Sequence, residues 1–300
     1  MPSIRRTCGD RSLPPVKRFS LLGAIALTLL LWGSAAVATR IALTAYSPTQ
    51  IAASRAIIVT ATLLAYAALR RIPRPRREDW PTIALAGALV VTIYNLAFNA
   101  GQQTITAGSA SLLLNTIPVW TTILALTFLG ERCSWQGLLG IAISFAGTAI
   151  VALGEGQQMQ VNWGAGLVVV AAIAQAVYFV IAKPCLKQYP PIEFTIYTLV
   201  AGSILLLPFA GGLTEAVRSA STGATLAIVY LAIGPAAIAY FSWSYVLSRI
   251  PASQAANLLY VVPLLTLVMA WIVLREVPSP IALVGGGLTI VGVAIGRRVQ

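Results

Sequence analysis

The sequence predicts an all-α integral membrane protein of ten transmembrane helices, arranged as two inverted five-helix repeats. Three observations carry that expectation. The first is composition: 58% of the 300 residues are hydrophobic and only 9% are charged, with a mean hydropathy of +0.85. A soluble domain has about 25% charged residues, so this chain cannot cover a water-facing surface, and lipid must be its solvent. The second is a series of apolar runs at 19–39, 50–69, 80–102, 107–129, 134–153, 163–182, 191–210, 222–246, 252–274 and 279–297. Each is close to the roughly 20 residues that cross a bilayer core as a helix. The third is internal repetition. A shift of 145 residues lays 107–147 on 252–292 and puts Pro118 on Pro263, Glu131 on Glu276, Gly140 on Gly285 and Gly147 on Gly292. A shift of 143 serves the earlier part, with Arg40 on Lys183, Pro48 on Pro191 and Gln50 on Glu193. The organisation that follows is a basic tail at 1–18, a first repeat at 19–153 and a second at 163–298.

Orientation comes from the basic residues. With the N-terminus inside, sixteen Lys and Arg fall in the tail, the even-side loops and the C-terminus, against three outside: Arg40, Arg218 and Arg275. This is the positive-inside bias, and it predicts both termini in the cytoplasm and the plasma (inner) membrane as the location. Five spans per repeat is an odd number, so the halves insert upside down relative to each other. Glu131-Arg132 and Arg275-Glu276 are therefore expected on opposite sides.

Buried polarity in a span is costly unless it faces protein or a water-filled cavity, so each span is read by its polar residues. The first holds Trp32 and Ser34. Its Arg5-Arg6 and Ala36-Val37-Ala38 also resemble a cleavable secretory signal, but the span has a counterpart in the sixth, and cleavage would break the repeat. The second holds Arg55, the only charge within a span. Arg55 either reaches the outer headgroups or pairs with a substrate carboxylate. In the third, Asn95, Asn99 and Gln102 share a face, beside Tyr94 and Phe98. The fourth holds Asn115 and a mid-span Pro118, and the fifth a glycine row of Gly137, Gly140 and Gly147 suited to close helix packing. The second repeat answers with Gln175 and Tyr178 in the sixth span and Thr198, opposite Arg55, in the seventh. Tyr240, Trp243 and Ser244 follow in the eighth, Asn257, Tyr260 and Pro263 in the ninth, and Gly285, Gly292 and Gly296 in the tenth. The first set falls in the outer half of the membrane and the second in the inner half. Two polar-aromatic vestibules built from equivalent helices are what alternating access by inverted repeats requires. The competing reading is that these amides and hydroxyls only join helices. Trp80, Trp135, Trp163 and Trp271 read as interface belts. Pro118 and Pro263 read as hinges, or as sources of free carbonyls at the midplane.

The stretch from Ala107 to Trp120, AGSASLLLNTIPVW, followed by LGERCSWQGLLG from Leu129, resembles the drug/metabolite transporter superfamily, EamA type. The second half repeats it with Leu274-Arg275-Glu276 in place of Leu-Gly-Glu. The resemblance spans nearly the whole chain and implies a ten-helix carrier of small organic solutes. Within the superfamily the chain is similar to YddG-like exporters of aromatic and other neutral amino acids, with other metabolites, purines or drugs as the alternative cargo.

Other classes fall away on chemistry. The net charge of +12 sits in clusters beside apolar runs, which speaks against nucleic acid. There is no histidine, so a Ser–His dyad is impossible, and no metal or cofactor is expected. Cys8, Cys133 and Cys185 lie at or near the cytoplasmic side and imply no disulfide framework. No ring of charges suggests a channel. No carboxylate lies mid-span, so an ammonium must rest on carbonyls, amides and ring faces, and transport is expected to be facilitative. The partners expected are a small solute and the bilayer, and a monomer suffices.

Overall fold

A computed structural model describes residues 15–130, 134–154, 162–277 and 279–297. Most of the basic tail, Glu131, Arg132, Cys8, Cys133, Glu155 and Arg298 lie outside the described residues. Besides a short helix at Leu213–Ser219, ten longer helical segments run in order: α1 (Pro15–Ala42), α2 (Pro48–Arg70), α3 (Arg77–Gly101), α4 (Ala107–Phe128), α5 (Trp135–Gly154), α6 (Trp163–Cys185), α7 (Pro191–Ile204), α8 (Thr222–Arg249), α9 (Ala252–Leu274) and α10 (Pro280–Arg297). Seven are long and apolar enough to cross a membrane, and α5, α7 and α10 contain shorter apolar stretches. No strand occurs among the described residues. The seventh span is shorter than its apolar run: α7 ends at Ile204, and Leu207–Phe209 form a separate 3-10 turn.

Local chemistry sets the starts. Ser47 caps α2 in a capping box, accepting from Gln50 N–H at 3.3 Å while Gln50 Oε1 accepts from Ser47 N–H at 2.9 Å. Asn162, Thr106 and Ser221 cap α6, α4 and α8 in the same side-chain manner. These caps satisfy amide donors that a helix cannot pair internally.

The loops divide onto two faces. On the basic face, Ser20 of α1 meets Tyr245 of α8 at 3.1 Å. Tyr189, after α6, accepts from Arg76 N–H at 3.1 Å and donates to Asp79 in the first turn of α3. On the opposite face, Tyr46 after α1 meets Thr225 of α8 at 2.8 Å, and Thr104 after α3 donates to Asn162 before α6 at 2.9 Å. Neighbouring helices therefore run antiparallel, and equivalent helices of the two repeats run in opposite senses.

The repeat is visible in bonds. Arg40 at the end of α1 donates to Gln102 O at 3.0 Å, and Lys183 at the end of α6 donates to Leu247 O at 2.6 Å. These are equivalent donors on equivalent carbonyls, at opposite faces. Arg40 Nε also pairs with Glu276 at 3.1 Å, and the same carboxylate accepts from Ala107 N–H at 3.0 Å, which ties α1, α4 and α9 together. Gly130 and its counterpart Arg275 both have positive φ, 64° and 59°. The backbone needs a left-handed residue after α4 and after α9. Glycine supplies it without cost in one repeat, and arginine adopts it under strain in the other.

The fifth helix of each repeat packs on the other. A β-carbon added at Gly147 would lie 2.5 Å from Gly285 O, and one at Gly292 would lie 2.6 Å from Gly140 O. Only glycine permits this approach of α5 and α10, and Ser144 Oγ donates across it to Thr289 O at 3.1 Å. Trp80, Trp135, Trp163 and Trp271 are exposed on the lipid-facing surface, where the belt reading expects them.

Candidate functional site

Four helices are interrupted, and residues at or beside each interruption line the site. A π-helical turn opens α3 at Ala88–Ile93, and another opens α8 at the equivalent Ala232–Ile238, where Pro235 removes a backbone donor. Helix α4 breaks at Asn115-Thr116 and resumes at Ile117, and α9 passes through a 3-10 turn at Leu259–Val261. Pro118 and Pro263 each take the second position of the resumed helix. A proline costs nothing there, because that N–H has no partner inside the helix. The two prolines thus restart helices and do not kink continuous ones.

These breaks surround a cavity of about 990 Å3, its mouth included. Seven pairs of repeat-equivalent residues line it: Trp32 with Gln175, Ala56 with Leu199, Val90 with Pro235, Val91 with Ala236, Asn95 with Tyr240, Leu114 with Leu259, and Ile117 with Val262. The cavity therefore lies on the axis that relates the repeats. The rest of the wall is lopsided. Ala35, Ala36, Ala52, Arg55, Val59, Tyr94, Phe98, Ser111 and Asn115 line it from the first repeat, but only Ser203 adds to it from the second. The counterparts of those nine, among them Tyr178, Phe179, Thr195, Thr198, Trp243 and Tyr260, are buried in packing. The nine first-repeat residues lie toward the ends of their helices on the face that carries Ala42 and Pro48.

Arg55 is 8% exposed and lines the cavity wall. Its Nη1 donates to Asn95 Oδ1 at 2.7 Å, and Asn95 Nδ2 donates to Val91 O at 2.6 Å within the π-helical turn. The amide thus locks the guanidinium to the deformed backbone. Trp32 donates from Nε1 to Pro235 O at 3.1 Å, so a ring from the first repeat is held by the deformed turn of the second. It also meets Tyr240 edge-on at 5.2 Å, and Tyr240 donates to Gln175 Oε1 at 3.1 Å. The wall is mostly apolar, with a small number of fixed polar groups, the usual constitution of a small-molecule site.

Of the residues singled out in the sequence, Trp32, Arg55, Tyr94, Asn95, Phe98, Asn115, Gln175 and Tyr240 share this one cavity. Of the residues expected in an inner vestibule, only Gln175 and Tyr240 line this cavity, where Trp32 crosses the axis to contact Tyr240 and Trp243. Trp243 lies behind the wall, fully buried between Trp32 and Phe179 at 5.2 and 5.1 Å. Ser244 bonds Thr195 at 2.6 Å, and Tyr178 packs on Phe179. Asn99 and Gln102 share the face of Asn95 but lie beyond the cavity, where they donate to Pro48 O and Ala36 O at 3.2 Å each. Ser34 faces Tyr230 at 2.5 Å, and Asn257 and Tyr260 do not line the cavity. Sequence reasoning missed Ser203, Pro235 and the aliphatic wall. Pro235 was findable, since a proline inside an apolar run marks a deformed turn, whereas alanines and valines carry no such signal.

Comparison with known proteins agrees with this architecture. The EamA-like transporter family matches the chain twice, at residues 20–153 and 162–296. A probable terminal-alkyne amino-acid exporter of Streptantibioticus cattleyicolor is 37% identical over 92% of this chain and 92% of its own length. An uncharacterized transporter, YdfC of Bacillus subtilis, is 36% identical over 92% and 90%. The uncharacterized inner membrane transporter YedA of Escherichia coli is 28% identical over 83% and 81%. A solved crystal structure at 21% identity superposes with a TM-score of 0.68 over 94% of this chain and 100% of its own, so the fold is shared. With two matched repeats, a polytopic helical fold and a central cavity between them, the chain is a multi-pass membrane transporter and belongs to the EamA-like transporter family.

Proposed function

We propose that this protein exports small amphipathic solutes, above all neutral amino acids, by alternating access of its one central cavity. The observation that carries the reading is the lopsided wall. Equivalent residues line the midplane from both repeats, but only the first repeat extends the wall toward a face. Exchanging the two repeat conformations would close that side and uncover Tyr178, Trp243 and Tyr260 on the other, which is how inverted repeats alternate access. The positive-inside bias assigns the basic face, and with it both termini, to the cytoplasm, so the conformation described has its cavity directed outward. The prolines that restart α4 and α9 then mark the hinges.

The cavity chemistry supports an amino acid. It offers one buried cation, ring faces from Trp32, Tyr94, Phe98 and Tyr240, and an aliphatic wall for an apolar side chain. The relative from Streptantibioticus cattleyicolor, named as a probable amino-acid exporter, points the same way. Among the described residues no acidic side chain lines the cavity, and the chain has no histidine. Nothing there is suited to carry a proton, so flux follows the solute's own gradient.

A second reading, a carrier of drugs, purines or other metabolites, rests on the mostly apolar, ring-lined wall, which suits other amphipathic solutes as well. Efflux from proteoliposomes loaded in parallel with labelled phenylalanine, leucine, propargylglycine, adenine and a cationic dye separates the two. Amino-acid flux without an imposed pH or sodium gradient is expected. Flux of adenine or dye alone would replace the first reading with the second, and a requirement for either gradient would overturn the uncoupled mechanism.

A further inference from the structure

We propose that Arg55, Asn115 and Ser203 form a subsite that binds the carboxylate of the transported solute. The proposal rests on the cavity being the transport site. Arg55 is 8% exposed and has no carboxylate partner: the one salt bridge among the described residues is Arg40–Glu276. Its only hydrogen bond goes to the neutral Asn95, and its Nε has no partner at all. Two further cavity-lining donors are orphaned. Asn115 is 2% exposed with Nδ2 unpaired, and Ser203 is 1% exposed with Oγ unpaired. An uncompensated buried cation strongly destabilises a fold, and buried donors ordinarily find acceptors. Three unsatisfied donors around one chamber, one of them charged, call for an anionic acceptor with several lone pairs. A carboxylate provides two oxygens and about four acceptor sites in the plane that a guanidinium matches.

The asymmetry of the repeats sharpens the point. The counterpart of Arg55 is Thr198, which is satisfied by its own helix through Phe194 O. The counterpart of Asn115 is Tyr260 and that of Ser203 is Thr60, neither of which lines the cavity. The donor set is therefore not an inherited feature of both halves but a feature of this one chamber. Asn95 acts as a positioning residue, since it holds Nη1 of the guanidinium against the cavity wall.

The test uses the full-length protein in detergent, with thermal unfolding and tryptophan fluorescence as readouts. Phenylalanine, leucine and propargylglycine are each compared with their carboxamides. The carboxylates are expected to raise the melting temperature, and the amides to bind about ten- to a hundredfold more weakly, as the loss of a charge-assisted hydrogen bond implies. In Arg55→Gln that difference should disappear. In Arg55→Lys affinity should fall, because an ammonium lacks the fork. Without ligand, Arg55→Gln should melt at or above the wild-type temperature, since it removes an unpaired charge. Equal binding of acids and amides by the wild type would refute the subsite and leave the amino-acid reading standing. A lower melting temperature for unliganded Arg55→Gln would also refute it, by making Arg55 a structural prop. No response to any of the six probes would refute the amino-acid reading and, with it, the subsite.

Discussion

Trp32 and Trp243 have ring centres 5.2 Å apart, yet only Trp32 lines the cavity. Their substitutions should therefore separate binding from stability. Trp243 is fully buried and packs at a tilt on Phe179, with ring centres 5.1 Å apart. Replacing a buried Trp by Ala typically costs about 3–5 kcal/mol in lost contacts and cavity formation. In a bilayer the transfer part shrinks, but the dispersion contacts are still lost. Its Nε1 is unpaired, so truncation also relieves an unsatisfied donor worth about 1 kcal/mol or more. A net loss of about 2–3 kcal/mol is expected for Trp243→Ala. Trp243→Phe keeps the ring contacts and drops the orphaned donor, so it should be close to neutral. Trp32→Ala removes a cavity ring and should cost about 1–2 kcal/mol of ligand binding, the scale of one desolvated aromatic contact. The assay pairs thermal unfolding of the purified protein with the concentration dependence of efflux from proteoliposomes. If Trp243→Phe abolished transport while the protein stayed fully stable, the indole N–H would be a ligand donor, and the assignment of Trp243 to packing would be refuted. An unchanged efflux KM in Trp32→Ala would refute the cavity floor as part of the binding site.

Three further outcomes are expected. Arg275→Gly should stabilise the protein by about 1 kcal/mol, because φ of 59° costs an L-residue about that much, and no rise in melting temperature would show that the side chain offsets the strain. Gly292→Val should drive α5 and α10 apart, since even its β-carbon would sit 2.6 Å from Gly140 O, and a wild-type yield of folded, monodisperse protein would contradict the close crossing. On a background lacking Cys8, Cys133 and Cys185, a cysteine at Thr214 should react with an impermeant maleimide in intact cells and one at Arg74 should not; the reverse pattern would invert the orientation assigned to the cavity.

The candidate site was legible in part. Buried polarity and ring content pointed to Trp32, Arg55, Asn95, Asn115, Gln175 and Tyr240, because a polar group in lipid must face protein or water. The same rule could not distinguish Asn95 from Asn99, four residues along the same face, one bound to Arg55 in the cavity and the other to Pro48 O outside it. It also missed Ser203 and the aliphatic wall, whose residue types occur all along the spans.

By itself, the sequence determined the solvent, the number of crossings and the duplication, since apolar length, charge bias and self-similarity are properties of a chain read in one dimension. It also identified Arg55 as the one charge in a span. Only the tertiary structure decided that Gln175 and Tyr240 join the first repeat's polar residues in one cavity, that Arg55 is bound to Asn95 there, and that Trp32 faces the cavity while Trp243 lies behind it. The physical reason lies in the duplication. Equivalent positions in two similar repeats have nearly the same local preferences, so nothing local marks which member of a pair is open and which is packed. That choice is made by contacts between the halves, such as Trp32 on Pro235 O and Arg40 on Glu276, between residues about 200 or more positions apart in the chain.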